Sequence, residues 1–286
     1  MAAFPIYDVQ DFKCGAIAAD LYVNTFAEHL KHHAFIEEPH RHNSYLLLFF
    51  TNGSGTHDVD FNRYKIGGGS VFLLQPGQLH HWDLSEDTDG FVLIYSGEQY
   101  GLQFDRNRLS EYPFYASAYQ HPELILDDCA MRSIVPYFQL LVQEALSGKK
   151  RGRDKMFNLI DCIHIELARR YTNATQQIHP YNAKITQFER RIEQYFRTHK
   201  APSFYAKELH ISIKHLNRIC REILNKTASE MIAARTVLEA KRMLADRRIS
   251  INAIADDLGY QDYSYFSRFF RNHTQISPSE FRRKHF

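Results

Sequence analysis

Two sets of side chains in this sequence have types and spacings that can do chemistry. The first is a trio of histidines, His40, His42 and His80. Residues two apart on a strand project to the same side, so His40 and His42 would present their rings together. The Pro76-Gly77 turn then precedes His80. The second set is basic: Arg218 and Arg221, and fifty residues later Arg268 and Arg271. Guanidinium groups at matched positions of two similar segments suit a polyanion such as the phosphate backbone of DNA.

Charge separates the two sets. The 286 residues carry a net charge of only +2, but residues 1–180 hold 15 Lys and Arg against 22 Asp and Glu, whereas residues 181–286 hold 20 against 11. An acidic half joined to a basic half fits a chain of which only one part faces phosphates.

The elements that must position the basic residues form a degenerate repeat. Tyr205–Ile223 (YAKELHISIKHLNRICREI) and Ala253–Asn272 (AIADDLGYQDYSYFSRFFRN) align: Ala206 and Leu209 match Ala255 and Leu258, and Leu216, Arg218, Ile219 and Arg221 match Phe266, Arg268, Phe269 and Arg271. The pattern is that of a helix-turn-helix. A small residue lets the second helix cross closely, a leucine three residues on seals the underside, and a turn follows. In the second copy Gly259 can accept positive φ and Asp262 can cap the next helix. In the first copy His210 takes the glycine position and Ser212 the cap, and the turn is one residue shorter. A periodic helix from about Ser229 to Asp246 bridges the copies. Its length of roughly 27 Å approaches the ~34 Å between successive major-groove faces.

The tail Gly259–Arg283 (GYQDYSYFSRFFRNHTQISPSEFRR) resembles the signature of the AraC/XylS-type transcription regulators, and the resemblance runs back to about Ile185. It implies base reading by Lys214, Asn217 and Arg218 from the first motif and by Ser264, Tyr265 and Arg268 from the second. Arginine can pair with guanine and asparagine with adenine, while Arg221 and Arg271, one helical step further on, hold phosphate. The family has glycine after each recognition helix. This chain has Asn225 and Gln275, and because glutamine adopts the left-handed conformation less readily, the second turn is expected to be built differently.

The histidines lie in a different kind of region. Tyr45–Phe50, Thr56–Phe61, Gly69–Gln75 and Gly90–Ser96 are short, rich in aromatic and branched residues, and separated by turn signals. Up to about residue 110 the chain reads as an antiparallel sandwich or small barrel. Pro39–Trp82 resembles a cupin. In metal-binding cupins three such histidines join a carboxylate, a position held here by Leu46 or Leu47. Three readings of His40, His42 and His80 stay open: hydrogen-bonded remnants in the barrel mouth, the lining of a pocket for an organic effector, or a catalytic metal centre. An effector site would also draw on Tyr45 and Trp82. The aromatics Phe49, Phe72, Phe91 and Tyr95 suit either a pocket or an ordinary core.

Helical periodicity returns over Asp128–Ser147 and Asp154–Tyr171, with the basic run Lys149–Lys155 as a solvated loop between them. Thr172–Tyr181 is polar and aperiodic and marks the domain boundary. No stretch is apolar enough to span a bilayer, the N-terminus lacks a secretory pattern, and Cys14, Cys129, Cys162 and Cys220 form neither a metal knuckle nor a disulfide framework.

The expectation is therefore a cytoplasmic two-domain protein. Residues 1–175 form an all-β cupin-like barrel with a helical dimerisation segment, and residues 182–286 an all-α domain with two helix-turn-helix motifs. It is a non-enzymatic transcription activator with no assigned metal or cofactor, a homodimer acting on promoter DNA and RNA polymerase in response to a small molecule bound in the cupin-like domain. Its rivals are a metal-dependent cupin enzyme fused to a DNA-binding domain, and an effector-independent regulator.

Overall fold

In the computed structural model the chain divides into two units, Pro5–Thr175 and Gln176–Phe286. The structure describes residues 5–12, 20–33, 38–104, 108–115, 121–175 and 182–285. Cys14 and residues 176–181 of the polar boundary stretch lie outside the described residues.

Turns at close spacing fold the first unit into two five-stranded sheets. One has the order β1 (Ile6–Tyr7), β3 (His40–His42), β8 (Leu79–Leu84), β5 (Gly55–Val59), β6 (Asn62–Ile66). The other runs β10 (Glu123–Ile125), β7 (Ser70–Leu74), β4 (Tyr45–Asn52), β9 (Asp89–Tyr95), β2 (Leu21–Thr25). Between the sheets lies a core that includes Phe12, Tyr22, Phe26, Leu46, Leu48, Phe50, Phe72 and Trp82. The second sheet is covered on its other face as well. Leu47, Phe49, Phe91 and Tyr95 pack there with Ile134, Phe138, Phe157 and Ile160 of the long helices α4 (Asp128–Ser147) and α5 (Gly152–Thr175). A strand buried on both faces reads as a continuous apolar run, which is why Leu46–Phe50 shows no alternation.

Among the described residues three short α-helices interrupt the β region: α1 (Phe26–His32), α2 (Gly97–Gln103) and α3 (Arg108–Glu111). The expectation of β structure up to about residue 110 missed them. α1 follows from Thr25, whose side chain accepts from Glu28 N. The loop after α4 starts at Gly148 in the left-handed conformation, and Lys155 returns to pair with Glu144 at 2.6 Å.

The second unit is all helical: α6 (Asn182–Tyr195), α7 (Pro202–Glu208), α8 (Ile213–Leu224), α9 (Ala228–Leu244), α10 (Ile251–Asp257), α11 (Tyr263–Thr274) and α12 (Pro278–His285). The repeat is longer than its sequence match. α7 and α10 both have seven residues, α8 and α11 both twelve. The third helix of each copy opens with the same reciprocal cap, Thr227 with Glu230 and Ser277 with Glu280. The turns after α8 and α11 are alike too, which corrects the expectation for the second. Asn225 (φ 51°) and Gln275 (φ 67°) both sit in the left-handed region, and each donates its N–H to the carbonyl four residues back.

The bridging helix α9 is about 25 Å long at 1.5 Å per residue and contacts α7, α8, α10, α11 and α12. Its Arg235 is buried, lies over the Phe196 ring at 4.1 Å and bonds Glu193 at 2.7 Å and Glu239 at 3.0 Å. Arg282 of the tail signature donates to the carbonyls of Leu244 and Ile249, closing the end of α9. Tyr260 and Phe281 of the same signature are buried against Phe266 and Phe270.

Candidate DNA-reading faces and the histidine cluster

Each second helix of the repeated motif is amphipathic in the way that leaves one face for a ligand. α8 buries Leu216, Ile219 and Cys220, and α11 buries Phe266 and Phe270. The opposite face of α8 carries exposed Lys214, Arg218 and Arg221, and that of α11 carries exposed Ser264, Tyr265, Arg268 and Arg271. Spacings of three, four and seven residues put these side chains on one stripe of each helix. Both stripes begin at a capped N-terminus. Ser212 Oγ accepts from His215 N at 3.1 Å and Asp262 Oδ1 accepts from Ser264 N at 2.7 Å. Within the stripes Arg218 meets the His215 ring at 2.9 Å, and the Arg268 guanidinium lies over Tyr265.

Asn217 is placed differently from its neighbours. Its Oδ1 accepts from Ala228 N at 3.0 Å, tying α8 to the first residue of α9. The capping box there serves Thr227 N and Glu230 N, and Asn217 serves Ala228 N, which the box leaves open. The second copy has Pro278 at the matching position, which has no N–H to satisfy, and Ser267 where the first has Asn217.

The turns ahead of these helices both need a left-handed residue. His210 has φ 52° and Gly259 φ 75°. At Gly259 a Cβ would stand 2.1 Å from the Arg197 carbonyl oxygen, so glycine is required there on two counts.

In the first unit, β8 pairs with β3 on one side and β5 on the other, with His40 opposite His80 and His57 opposite Trp82. Alternation then turns His40 and His42, His57, and His80 and Trp82 to the interior. His40 Nε2 lies 3.1 Å from His42 Nε2, and His42 Nε2 lies 3.0 Å from His80 Nε2. His40 Nδ1 donates to the Glu38 carbonyl at 2.8 Å, and His57 Nε2 meets His80 Nδ1 at 3.1 Å. All four rings are buried. Trp82 packs edge-on to Phe26, His29, His40 and His80. Burial, with the neighbouring histidines adding to it, pulls His42 and His80 well below the usual imidazole range. Burial likewise lowers His40 to about 4 and His57 to about 3. All four are neutral at neutral pH.

Tyr45 does not join them. It lies on the other face of β4, stacked on Tyr95 with ring centroids 5.5 Å apart, because odd-numbered residues of this strand face the helices and even-numbered ones the barrel interior. Phe49, Phe91 and Tyr95 share that outer face, and of the six aromatics singled out from the sequence Phe72 and Trp82 line the interior. Leu46, not Leu47, therefore occupies the inward position. Sequence reasoning missed His57, although its spacing from Val59 on β5 is the signal that marks it. It also missed His29 and His33, one turn apart at the end of α1. His29 Nδ1 meets the Tyr22 hydroxyl at 2.8 Å.

Comparison with known proteins agrees with both halves. Residues 22–183 match the AraC-like ligand binding domain and residues 205–284 a helix-turn-helix domain. The arabinose operon regulatory protein of Salmonella typhimurium is 24% identical over 255 residues, 87% of this chain and 86% of that protein. The transcriptional activator RhaR of Salmonella arizonae is 23% identical over 268 residues, 92% and 90% of the two chains. Among solved structures, fatty-acid-bound ToxT of Vibrio cholerae is 14% identical, covers 94% of this chain and 97% of its own, and has a TM-score of 0.46. The chain belongs to the AraC-type transcription regulators, with an AraC-like ligand-binding domain ahead of a DNA-binding helix-turn-helix domain.

Proposed function

We propose that this regulator activates transcription as a homodimer, reading promoter DNA with α8 and α11 and responding to a small molecule held between the two sheets. The observation that carries the reading is the pair of exposed stripes, Lys214, Arg218 and Arg221 on α8 and Ser264, Tyr265, Arg268 and Arg271 on α11, each backed by a buried apolar row. Arg218 and Arg268 are the guanine readers, and Arg221 and Arg271 hold phosphate. Asn217 acts through the position of α8, since its carbonyl oxygen is engaged by Ala228 N.

His40, His42, His80 and Trp82 line the effector side of the barrel, without Tyr45. α4 and α5 form the dimer surface, where Leu140 and Leu146 of α4 are exposed. An effector acts by its differential affinity for two states of the regulator, and the activated dimer engages RNA polymerase in the cytoplasm. The relatives are transcription regulators, and we assign no catalytic step to this chain. Among the described residues no helix is long and apolar enough to cross a membrane.

The test is quantitative binding to DNA selected by the protein from a random pool. Arg268→Ala and Arg218→Ala should each weaken the selected site by ~1–3 kcal/mol and relax preference at one base pair. Arg271→Ala should weaken all sequences alike. Unchanged site binding in both arginine-reader variants overturns the placement of the recognition helices.

A further inference from the structure

We infer that the barrel holds one divalent transition-metal ion of the zinc class, bound by Nε2 of His40, His42 and His80. The three rings come from two adjacent strands, and each residue offers one ligand atom within 4.8 Å of the others. The His40–His42 and His42–His80 Nε2 separations, 3.1 and 3.0 Å, lie a few tenths of an ångström inside the roughly 3.3 Å edge of a tetrahedron with 2.0–2.1 Å metal–nitrogen bonds.

Proton accounting distinguishes this cluster from ordinary hydrogen-bonded histidines. A carbonyl only accepts, so the 2.8 Å contact to the Glu38 oxygen places the His40 proton on Nδ1 and leaves Nε2 as a bare lone pair. With His80 donating Nδ1–H to His57 Nε2, its Nε2 is bare as well; with His57 donating instead, His80 Nε2 carries a proton that only His42 Nε2 is placed to accept. His42 Nε2 sits between the two with one proton at most. Its own Nδ1 is buried and has no hydrogen-bond partner in either tautomer, and the same is true of His57 Nδ1. Without a cation no set of neutral tautomers makes both the His40–His42 and the His42–His80 contact a hydrogen bond, since His40 Nε2 can only accept and His42 Nε2 cannot donate and accept at once. A cation accepts all three.

The surroundings match what a ligating imidazole requires. Its other nitrogen donates to a fixed acceptor, which sets tautomer and ring orientation. The Glu38 carbonyl does this for His40, and His57 Nε2, 3.1 Å from His80 Nδ1, is placed to do it for His80. Imidazole donors suit zinc, copper, iron and nickel rather than magnesium or calcium. Leu46 stands inward where a carboxylate would complete a four-ligand protein site. Among the described residues the protein thus supplies three nitrogens, and the remaining position falls to water or to an oxygen of a small molecule. The inference rests on the cluster geometry alone, so it stands or falls independently of the effector assignment.

The experiment is titration of the chelator-treated full-length protein with Co²⁺ and Zn²⁺. One Co²⁺ per chain should bind with the visible d–d bands of a low-symmetry nitrogen site, and Zn²⁺ should displace it. His42→Gln and His80→Gln should weaken binding about 100-fold or more, while His57→Gln, which removes only the outer partner, should weaken it 10- to 100-fold. Circular dichroism and melting of the metal-free proteins report whether each variant is folded. X-ray absorption of the zinc-loaded wild type should show three imidazole nitrogens at about 2.0–2.1 Å, and this reading holds even if the glutamine variants do not fold. Substoichiometric uptake by folded wild type, fewer than three imidazoles or any sulfur ligand at the zinc edge, or unchanged affinity in folded His42→Gln, overturns the site.

Discussion

Replacing Asn217 with alanine should cost stability without changing which base is preferred. In the structure Asn217 Oδ1 accepts from Ala228 N at 3.0 Å, and Ala228 is fully buried. The change removes an acceptor at a helix N-terminus, a loss of ~1 kcal/mol in comparable caps. It also leaves a buried donor without a partner, which raises the figure toward ~2 kcal/mol. The matched position of the second copy gives a way to isolate this term. Pro278 has no N–H, so Ala228→Pro in the Asn217→Ala background removes the orphaned donor. Thr227 is already extended at φ −83° and ψ 160°, the conformation a following proline demands. A double-mutant cycle by urea denaturation should therefore return a coupling of about 1 kcal/mol between the two substitutions. Selection of DNA by Asn217→Ala should yield the same preferred sequence as wild type, with any loss of affinity shared across sequences. A stability change below ~0.3 kcal/mol, together with loss of one adenine preference, would refute the cap and restore Asn217 as a base reader.

Other outcomes follow from the same geometry. Gly259→Ala places a Cβ 2.1 Å from the Arg197 oxygen at φ 75° and should destabilise the C-terminal unit by about 3 kcal/mol or more, seen as an early helical unfolding transition. Gln275→Gly relieves a left-handed residue at φ 67° and should gain about 0.5–1 kcal/mol; a loss would mean that the glutamine side chain contributes something the backbone does not show. His164 is buried between Tyr95 and Tyr100, and burial lowers it to about 3. Its folded pKa lies below its unfolded value of about 6.5. The unfolded state thus binds the extra proton, and stability falls as pH drops below ~6.5 and goes on falling until about pH 3. Between pH 7.5 and 5 this one group should cost about 2 kcal/mol, and that part of the acid slope should be missing in His164→Asn.

The helix-turn-helix half was legible because its information is local. Caps, turn residues and a 3.6-residue period are read within one turn of chain. The internal repeat then supplied a second copy against which His210 and Ser212 could be assigned. What the sequence left open there involved contacts across the fold. Asn217 looks like a base reader on the helix surface, and only the approach of Ala228, eleven residues on, shows where its oxygen goes. Gln275 looked unfit for a left-handed turn, yet its neighbours impose the same geometry as at Asn225.

The barrel half divides in another way. By itself the sequence determined that short strands meet at turns, that His40 and His42 share a face, and that the chain's two halves differ in charge, since these depend on alternation and composition. Which face of β4 is the interior only the tertiary structure decided. Helices cover the outer face, so both faces are apolar and alternation carries no sign, and Tyr45 went to the wrong side. The meeting of His40, His42, His57 and His80 was likewise settled by strand order. Placing β8 between β3 and β5 joins residues tens of positions apart, and no periodicity along the chain encodes which strands become neighbours.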